Sequence, residues 1–128
     1  MKTITFYEVR GLNTAERMEK NAFETVESAR EFANTSKTLM GCNLYEITMT
    51  FNDTVTTTEK HIGGLRTVAH DTYMDYEKEK IADWEKEIIA VENNKRMKAE
   101  NKEKRISEIE RYIAKSQAYI QKYYDTYK

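Results

Sequence analysis

The side chains with the chemistry that an active site would need are Cys42, His61, His70, Glu46 and Glu59. A cysteine nucleophile needs a histidine within hydrogen-bond reach and a third group that orients the histidine, and the sequence offers only Cys42 with His61. Glu46 and Glu59 could oppose each other across a hairpin, as the paired carboxylates of a glycosidase do. We interpret both as solvated strand residues. The sequence therefore predicts no catalytic site, and a small enzyme built around these residues is the weakest alternative.

The sequence also predicts no metal site and no cofactor. A single cysteine, Cys42, excludes an internal disulfide and a thiolate zinc site within one chain. His61 and His70 flank Gly63-Gly64, and we interpret them as surface or capping residues. A phosphate-binding loop would need more glycines, followed by Lys and Ser or Thr at fixed spacing. We therefore interpret Gly63-Gly64 as the end of a strand or as a hinge.

A basic segment at residues 95–105 contains six basic and two acidic residues, a net charge of +4. A phosphate backbone could bind there. No aromatic residue interleaves with the bases, whereas proteins that bind single strands usually add stacking rings. The whole chain is nearly balanced, with 21 basic and 22 acidic residues. A solvated helical face is therefore favoured, and nucleic-acid binding stays as the alternative.

Tyrosines crowd the last helical segment of the chain. Tyrosine is enriched at protein interfaces because it supplies rigid contact area with a polar tip. Tyr112 and Tyr119 are one heptad apart and share a face, for which core packing is the default expectation. The residues that we predict to contact a partner protein are Tyr119, Tyr123, Tyr124, Tyr127, Lys95, Arg96, Lys98 and Lys102.

The first half of the chain predicts a small sheet covered by a helix. Alternating β-branched and aromatic residues indicate strands, Thr25 has the type of a helix N-cap, and Asn52-Asp53 suits a hairpin turn. Residues 12–22 are polar and could form a loop or a short helix. The predicted elements are strand 2–10, a helix that begins after Thr25 and ends near Lys37, and an antiparallel hairpin of strands 43–51 and 54–62.

From Asp71 onward the pattern is helical, with Asp71 or Thr72 as the cap. An apolar stripe with coiled-coil-like spacing contains Met74, Ile81, Trp84, Ile88 and Val91. The stripe fails in the basic segment and resumes at Ile106. We predict a turn within residues 93–101 and two antiparallel helices; the alternative is one unbroken helix held by a partner chain.

Charge supports antiparallel pairing of the two helices. Residues 71–92 carry eight acidic and three basic residues, a net charge of −5. Residues 93–128 carry five acidic and ten basic residues, a net charge of +5. Each exposed pair adds only ~0–1 kcal/mol, so charge selects the orientation while apolar contact supplies the affinity.

The predicted fold class is α+β. Residues 1–64 form a β-α-β-β domain, and residues 65–128 form an antiparallel helical hairpin that extends as a coiled-coil-like arm. No run approaches the ~20 apolar residues that cross a bilayer, no signal peptide is recognisable, and a lone cysteine suits a reducing compartment. We therefore expect a cytoplasmic protein. A homodimer is compatible with the open sheet edges and the amphipathic arm.

The chain resembles the small accessory proteins of phages and mobile elements. The resemblance rests on a short strand leading into the helical segment 23–33, on residues 43–48, and on a tail rich in Lys, Glu and Tyr. It implies a stoichiometric inhibitor of host defence machinery, including the anti-CRISPR type. It carries no residue-level function, because the chain contains no shared motif. Together these observations predict a non-enzymatic protein-binding module, an inhibitor or adaptor, that acts by steric and electrostatic occlusion.

Overall fold

The structure, a computed structural model, describes residues 1–13 and 15–128. Within the ambiguous segment 12–22, Thr14 therefore lies outside the described residues. The elements in chain order are β1 (Lys2–Asn13), β2 (Met18–Phe23), α1 (Val26–Thr35), β3 (Leu39–Phe51), β4 (Val55–Leu65), α2 (Val68–Glu92) and α3 (Ala99–Thr126). The predicted α+β class, with strands first and helices last, is confirmed.

The described chain divides into two compact units. The first, here called the sheet unit, contains Met1–Thr72 together with Asp125–Lys128. The second, here called the helical unit, contains Tyr73–Tyr124. The domain boundary that we expected between residues 64 and 65 stays a prediction.

The sheet has four antiparallel strands in the order β2-β1-β3-β4. The predicted β-α-β-β order was wrong, because it left out β2, which pairs with β1 in a register that joins Phe23 to Tyr7 and Asn21 to Val9. β2 lies at the edge of the sheet, and its residues are only half-buried or exposed. Such a strand can be polar on both faces, so it lacks the apolar alternation that reveals a strand in a sequence.

Helix α1 covers one face of the sheet. Thr25 is its N-cap, as predicted, and the Thr25 hydroxyl accepts a hydrogen bond from the Ser28 amide at 3.1 Å. Ala29 and Ala33 are fully buried, because these small side chains let the helix approach the strands closely. The apolar cluster beneath the helix contains Val9, Ala29, Ala33, Leu39, Cys42, Leu44 and Leu65.

The predicted β3–β4 hairpin is confirmed, and its turn is closed by the Asn52 amide, which donates to the Thr54 carbonyl at 3.1 Å. The predicted strand end at Gly63-Gly64 was wrong, because β4 continues to Leu65. A β-carbon on Gly64 would lie 2.6 Å from the Thr126 carbonyl oxygen. This glycine is therefore needed for close backbone approach rather than for ending the strand.

Helix α2 begins at Val68, earlier than predicted. Its capping side chain is Thr67, whose hydroxyl accepts hydrogen bonds from the amides of His70 and Gly41, both at 3.1 Å. The same hydroxyl donates to the Leu39 carbonyl. The predicted cap at Asp71 was wrong because tertiary contacts from β3 hold Thr67 in the capping position; Asp71 instead forms an ion pair with Arg66.

Helix α2 ends at Glu92 and α3 begins at Ala99, so residues 93–98 separate two helices. This break falls within the predicted segment 93–101. Among the described residues, no helix combines the length and the apolar character needed to span a membrane.

Candidate functional site

One face of α2 carries Tyr73, Glu77, Lys80 and Trp84 at spacings of four, three and four residues, which place side chains on the same side of a helix. On α3, the groove residues lie at spacings of three, one and three residues, which also share one side of a helix; they are Tyr112, Lys115, Ser116 and Tyr119. All eight side chains line a cavity of about 440 Å³ in the helical unit. We call this cavity the aromatic groove; its residues are Tyr73, Glu77, Lys80, Trp84, Tyr112, Lys115, Ser116 and Tyr119.

The walls of the aromatic groove are aromatic. The rings of Trp84 and Tyr112 lie 5.6 Å apart between centroids, with a tilt of 36°, a separation at which aromatic pairs attract each other. Tyr73 and Tyr112 are each 41% exposed, and Tyr119 is 48% exposed. The helical unit therefore leaves a cluster of large aromatic surfaces in contact with solvent.

The floor of the aromatic groove is polar. Glu77 is 6% exposed and Ser116 is 8% exposed, so both are buried although neither is apolar. A hydrogen-bonding interaction with the Glu77 carboxylate raises the pKa of the Tyr73 hydroxyl above its ordinary value. Ser116 is small, which leaves room above it. The groove can therefore offer a carboxylate and a hydroxyl to a ligand between aromatic walls.

Lys80 places a cation inside this environment. Its Nζ lies 3.6 Å from Glu77 Oε1. The same atom lies 5.5 Å from the centroid of the Trp84 ring and 5.7 Å from that of Tyr76. These separations are within the range of cation–π attraction. The Lys80 ammonium thus lies near the carboxylate and the Trp84 ring of the groove and near Tyr76, which does not line it.

The structure separates the four tyrosines that we predicted to contact a partner. Tyr119 is exposed and lines the aromatic groove. Tyr123 is only 4% exposed, and its ring lies 5.1 Å from that of Tyr124. The hydroxyl of the half-buried Tyr124 accepts a hydrogen bond from Lys78 Nζ at 2.8 Å. Of the three predicted contact tyrosines that lie in the helical unit, Tyr119 therefore offers the most surface to a partner.

Tyr127 belongs to the sheet unit and is half-buried there. Its ring lies 5.3 Å from that of His70, and it forms a parallel bridge with Gly64. A β-carbon on Gly41 would lie 3.1 Å from the Tyr127 ring. Tyr127 thus packs against backbone that two glycines keep accessible, and a partner contact through it stays a prediction.

The predicted basic residues also have different environments. Lys95, Arg96 and Lys98 are exposed in the segment between the helices. Lys102 is half-buried, and its Nζ donates to the Glu92 carbonyl at 3.0 Å. Arg105 forms an ion pair with Glu87. Of the four basic residues predicted to contact a partner, the three exposed ones therefore lie in residues 93–98.

The residues of the enzyme alternative do not come together. Cys42 is paired with Gly11 on β1 and with Leu65 on β4, and its side chain faces α1. Burial raises the pKa of its thiol to about 11, which disfavours the nucleophilic thiolate. His61 is paired with Tyr45, which lies on the opposite face of the sheet.

The alternative in which Glu46 and Glu59 oppose each other as paired carboxylates was wrong. Glu46 is opposite Lys60, and Glu59 is opposite Ile47, so successive positions place the two carboxylates on opposite faces. Within residues 1–13 and 15–128, no cluster of three or more His, Cys, Asp or Glu side chains could hold a metal ion.

Sequence reasoning missed the α2 half of the aromatic groove. It assigned Trp84 to an apolar, coiled-coil-like stripe, took Glu77 as an acidic residue suited to a helix N-terminus, and gave no role to Tyr73. The available signal was the spacing of Tyr73, Glu77, Lys80 and Trp84 on one helical face.

In comparisons with known proteins, no family model, no curated protein and no solved structure matches the chain.

Proposed function

We propose that this chain is a non-enzymatic protein-binding module whose contact surface is the aromatic groove. The observation that carries the proposal is the cluster of Tyr73, Tyr112 and Tyr119, which are 41–48% exposed around Trp84. Tyrosine and tryptophan are the side chains most enriched at energetic centres of protein interfaces. Full burial of a large apolar side chain is worth roughly 1.5–3 kcal/mol, and the exposed 41–48% of each tyrosine leaves part of that free energy ungained. A partner that covers the groove recovers that free energy.

We also propose that α2 and α3 form an antiparallel, coiled-coil-like hairpin. Cross-helix contacts support this arrangement, because early residues of α2 contact late residues of α3. Lys78 bonds Tyr124, Trp84 contacts Tyr112, Glu87 pairs with Arg105, and Lys102 bonds the Glu92 carbonyl. Such a hairpin presents both walls of the groove on rigid elements, so binding orders few additional side chains.

The mode of action that we propose is occlusion of a partner surface, as an inhibitor or adaptor would act. A phage-type inhibitor of host defence machinery, such as a CRISPR effector, is the specific form that the resemblance described above implies. We also propose that the protein is cytoplasmic, because a single cysteine suits a reducing compartment. A homodimer stays a prediction, which light scattering after size exclusion would test.

The experiment that tests the proposal is capture of interacting proteins with the full chain and with matched variants. The double change Tyr112→Ser, Tyr119→Ser removes two groove walls, and we expect it to abolish capture of the partner. Ile89→Ser is the control, because Ile89 is 57% exposed and does not line the groove. Equal capture by the double variant and the wild-type chain would overturn the proposal.

Nucleic-acid binding through residues 95–105 is the second candidate. The exposure of Lys95, Arg96 and Lys98 in the segment between the helices favours it. These side chains can approach phosphates without breaking an ion pair, and phosphate contacts would make the affinity fall steeply with salt. The aromatic rings of the groove belong to the helical faces and do not interleave with these bases.

A further inference from the structure

We propose that the aromatic groove receives an arginine side chain of the partner protein, with its guanidinium group at the position that the Lys80 ammonium occupies. The inference rests on the proposed protein-binding function and adds the chemistry of the central contact. Lys80 acts as an internal substitute for the partner's cation and leaves when the partner binds.

Lys80 Nζ lies in an environment that suits a positive charge. It lies 3.6 Å from a Glu77 carboxylate oxygen and within 6 Å of the ring centroids of Trp84 and Tyr76. Aromatic faces combined with a carboxylate stabilise a positive charge and disfavour a negative one. The position that Lys80 Nζ occupies therefore favours a cation.

Lys80 is not within hydrogen-bond distance of Glu77, whose carboxylate also interacts with the Tyr73 hydroxyl. The Lys80–Glu77 separation of 3.6 Å is an ion-pair distance and exceeds the usual 2.7–3.2 Å of a hydrogen bond. A guanidinium group can donate two parallel N–H groups to one carboxylate and can stack its plane on an aromatic ring. An arginine would thus use both the Glu77 carboxylate and the Trp84 ring, whereas the ammonium is a point charge.

The α2 helix, which carries Glu77 on the floor of the groove, contains eight acidic and three basic residues, a net charge of −5. This helix attracts a basic partner. Lys115 lines the groove on the α3 side and is exposed, so water and salt screen its repulsion. Glu77 is buried on the floor, where its charge is screened much less.

Displacement of Lys80 is physically accessible. Its side chain is a flexible four-carbon stem and is 37% exposed. The ammonium group can therefore rotate into water without movement of the helix. The displaced Lys80 ammonium becomes fully hydrated. This hydration offsets part of the free energy lost when its ion pair with Glu77 breaks.

The test uses the only tryptophan of the chain, Trp84, as a fluorescent reporter inside the groove. The full chain is titrated with N-acetyl-arginine amide, with the citrulline counterpart, which has the same shape but no charge, and with the glutamate counterpart. We expect a saturable change with arginine and an affinity about tenfold lower for citrulline, because the charged hydrogen bonds are lost. Equal responses to arginine and citrulline, or a preference for glutamate, would overturn the inference.

Two variants with matched controls sharpen the test. Glu77→Gln should weaken arginine binding about tenfold, while Glu79→Gln, an exposed α2 position outside the groove, should leave it unchanged. Lys80→Gln should strengthen arginine binding several-fold because the internal competitor is gone, whereas Lys86→Gln should have no effect. If Glu77→Gln fails to fold by circular dichroism, Lys80→Gln decides: weaker arginine binding by that variant overturns the inference.

The outcomes separate this inference from the function on which it rests. If partner capture requires Tyr112 and Tyr119 but the groove does not distinguish arginine from citrulline, the arginine chemistry is wrong and the protein-binding function stands. If arginine saturates the groove but capture ignores both tyrosines, the protein-binding function is overturned, and with it the protein source of the arginine.

Discussion

The two units of this protein distribute their buried side chains differently. In the sheet unit, Val9, Leu44 and Leu65 belong to one apolar cluster beneath α1. In the described part of the helical unit, the buried residues are Met74, Glu77, Ile109, Ser116 and Tyr123. Two of these are polar, while four aromatic side chains of the same unit are at least 41% exposed: Tyr73, Tyr76, Tyr112 and Tyr119.

This difference suggests that the two units contribute differently to folding stability and to partner binding. A contiguous apolar cluster removes large areas from water and supplies most of the free energy of folding. Aromatic area that stays exposed after folding can be buried when a partner binds, and its burial then contributes to the free energy of association. We infer that the sheet unit serves as the stable base and that the helical unit carries the contact surface.

The largest expected effect is the loss of a side chain from the apolar cluster. Leu44 is completely buried between β1 and β4 beneath α1, so Leu44→Ala should lower the free energy of unfolding by about 2–5 kcal/mol. Urea unfolding followed by circular dichroism measures this change. The matched control is Ile89→Ala, at a position 57% exposed in the helical unit, which should change stability by about 0.5 kcal/mol or less. Similar losses from both changes would break the comparison between the units.

The next effect concerns two adjacent glycines. A β-carbon at Gly64 would lie 2.6 Å from the Thr126 carbonyl oxygen, whereas one at Gly63 meets nothing within 4 Å. We expect Gly64→Ala to lower the free energy of unfolding by about 1–3 kcal/mol through overpacking. Gly63→Ala should be neutral or slightly stabilising, since alanine restricts the unfolded chain. Thermal unfolding of both variants side by side checks the ranking, and a larger loss at Gly63 would contradict it.

Alkaline pH should weaken the apolar cluster through Cys42. Burial raises the pKa of this thiol from its ordinary value near 9 to about 11 in the folded state. The unfolded chain therefore releases the proton first, so stability is fully present below pH 9 and falls as the pH rises through 11. Urea unfolding at a series of pH values should show this decline, and Cys42→Ala should have a flatter profile. A wild-type profile identical to that of the variant would exclude the linkage.

The smallest expected effect on stability comes from the basic segment. Lys95, Arg96 and Lys98 are exposed, so changing all three to Glu should alter the free energy of unfolding by about 0.5 kcal/mol or less. If nucleic acid binds here, the same triple change removes an affinity that falls steeply between 50 and 200 mM salt. Urea unfolding measures the change in stability. Fluorescence anisotropy with labelled DNA and RNA measures the affinity and its dependence on salt. Absence of binding at every salt concentration would leave the groove as the sole candidate surface.

Much of the sheet unit could be predicted from local patterns. The Thr25 cap of α1 is confirmed because it depends on residues within about one helical turn. The hairpin of β3 and β4 is confirmed because both strands alternate and a short turn joins them. β2 could not be predicted, since an edge strand paired on one side does not need an apolar face.

The aromatic groove could be predicted only in part. The heptad spacing of Tyr112 and Tyr119 placed them on one face, but whether that face is buried depends on what lies opposite it. In the structure the opposite side chains include Glu77 on the floor and Trp84 on the wall. A hydrophobic stripe predicts burial in general, and the exposed fraction of each member depends on the packing of a second helix.

The sequence by itself determined the α+β class, the order of strands and helices apart from β2, the cap of α1, and the break between α2 and α3. These features follow from side-chain periodicity and local hydrogen bonding, which act over a few residues. Only the tertiary structure decided that Thr67 caps α2, that Gly64 admits the C-terminal residues, and that Glu77 lies beneath exposed tyrosines. Each of these depends on residues far apart in the chain, and their contacts exist only after the chain has folded.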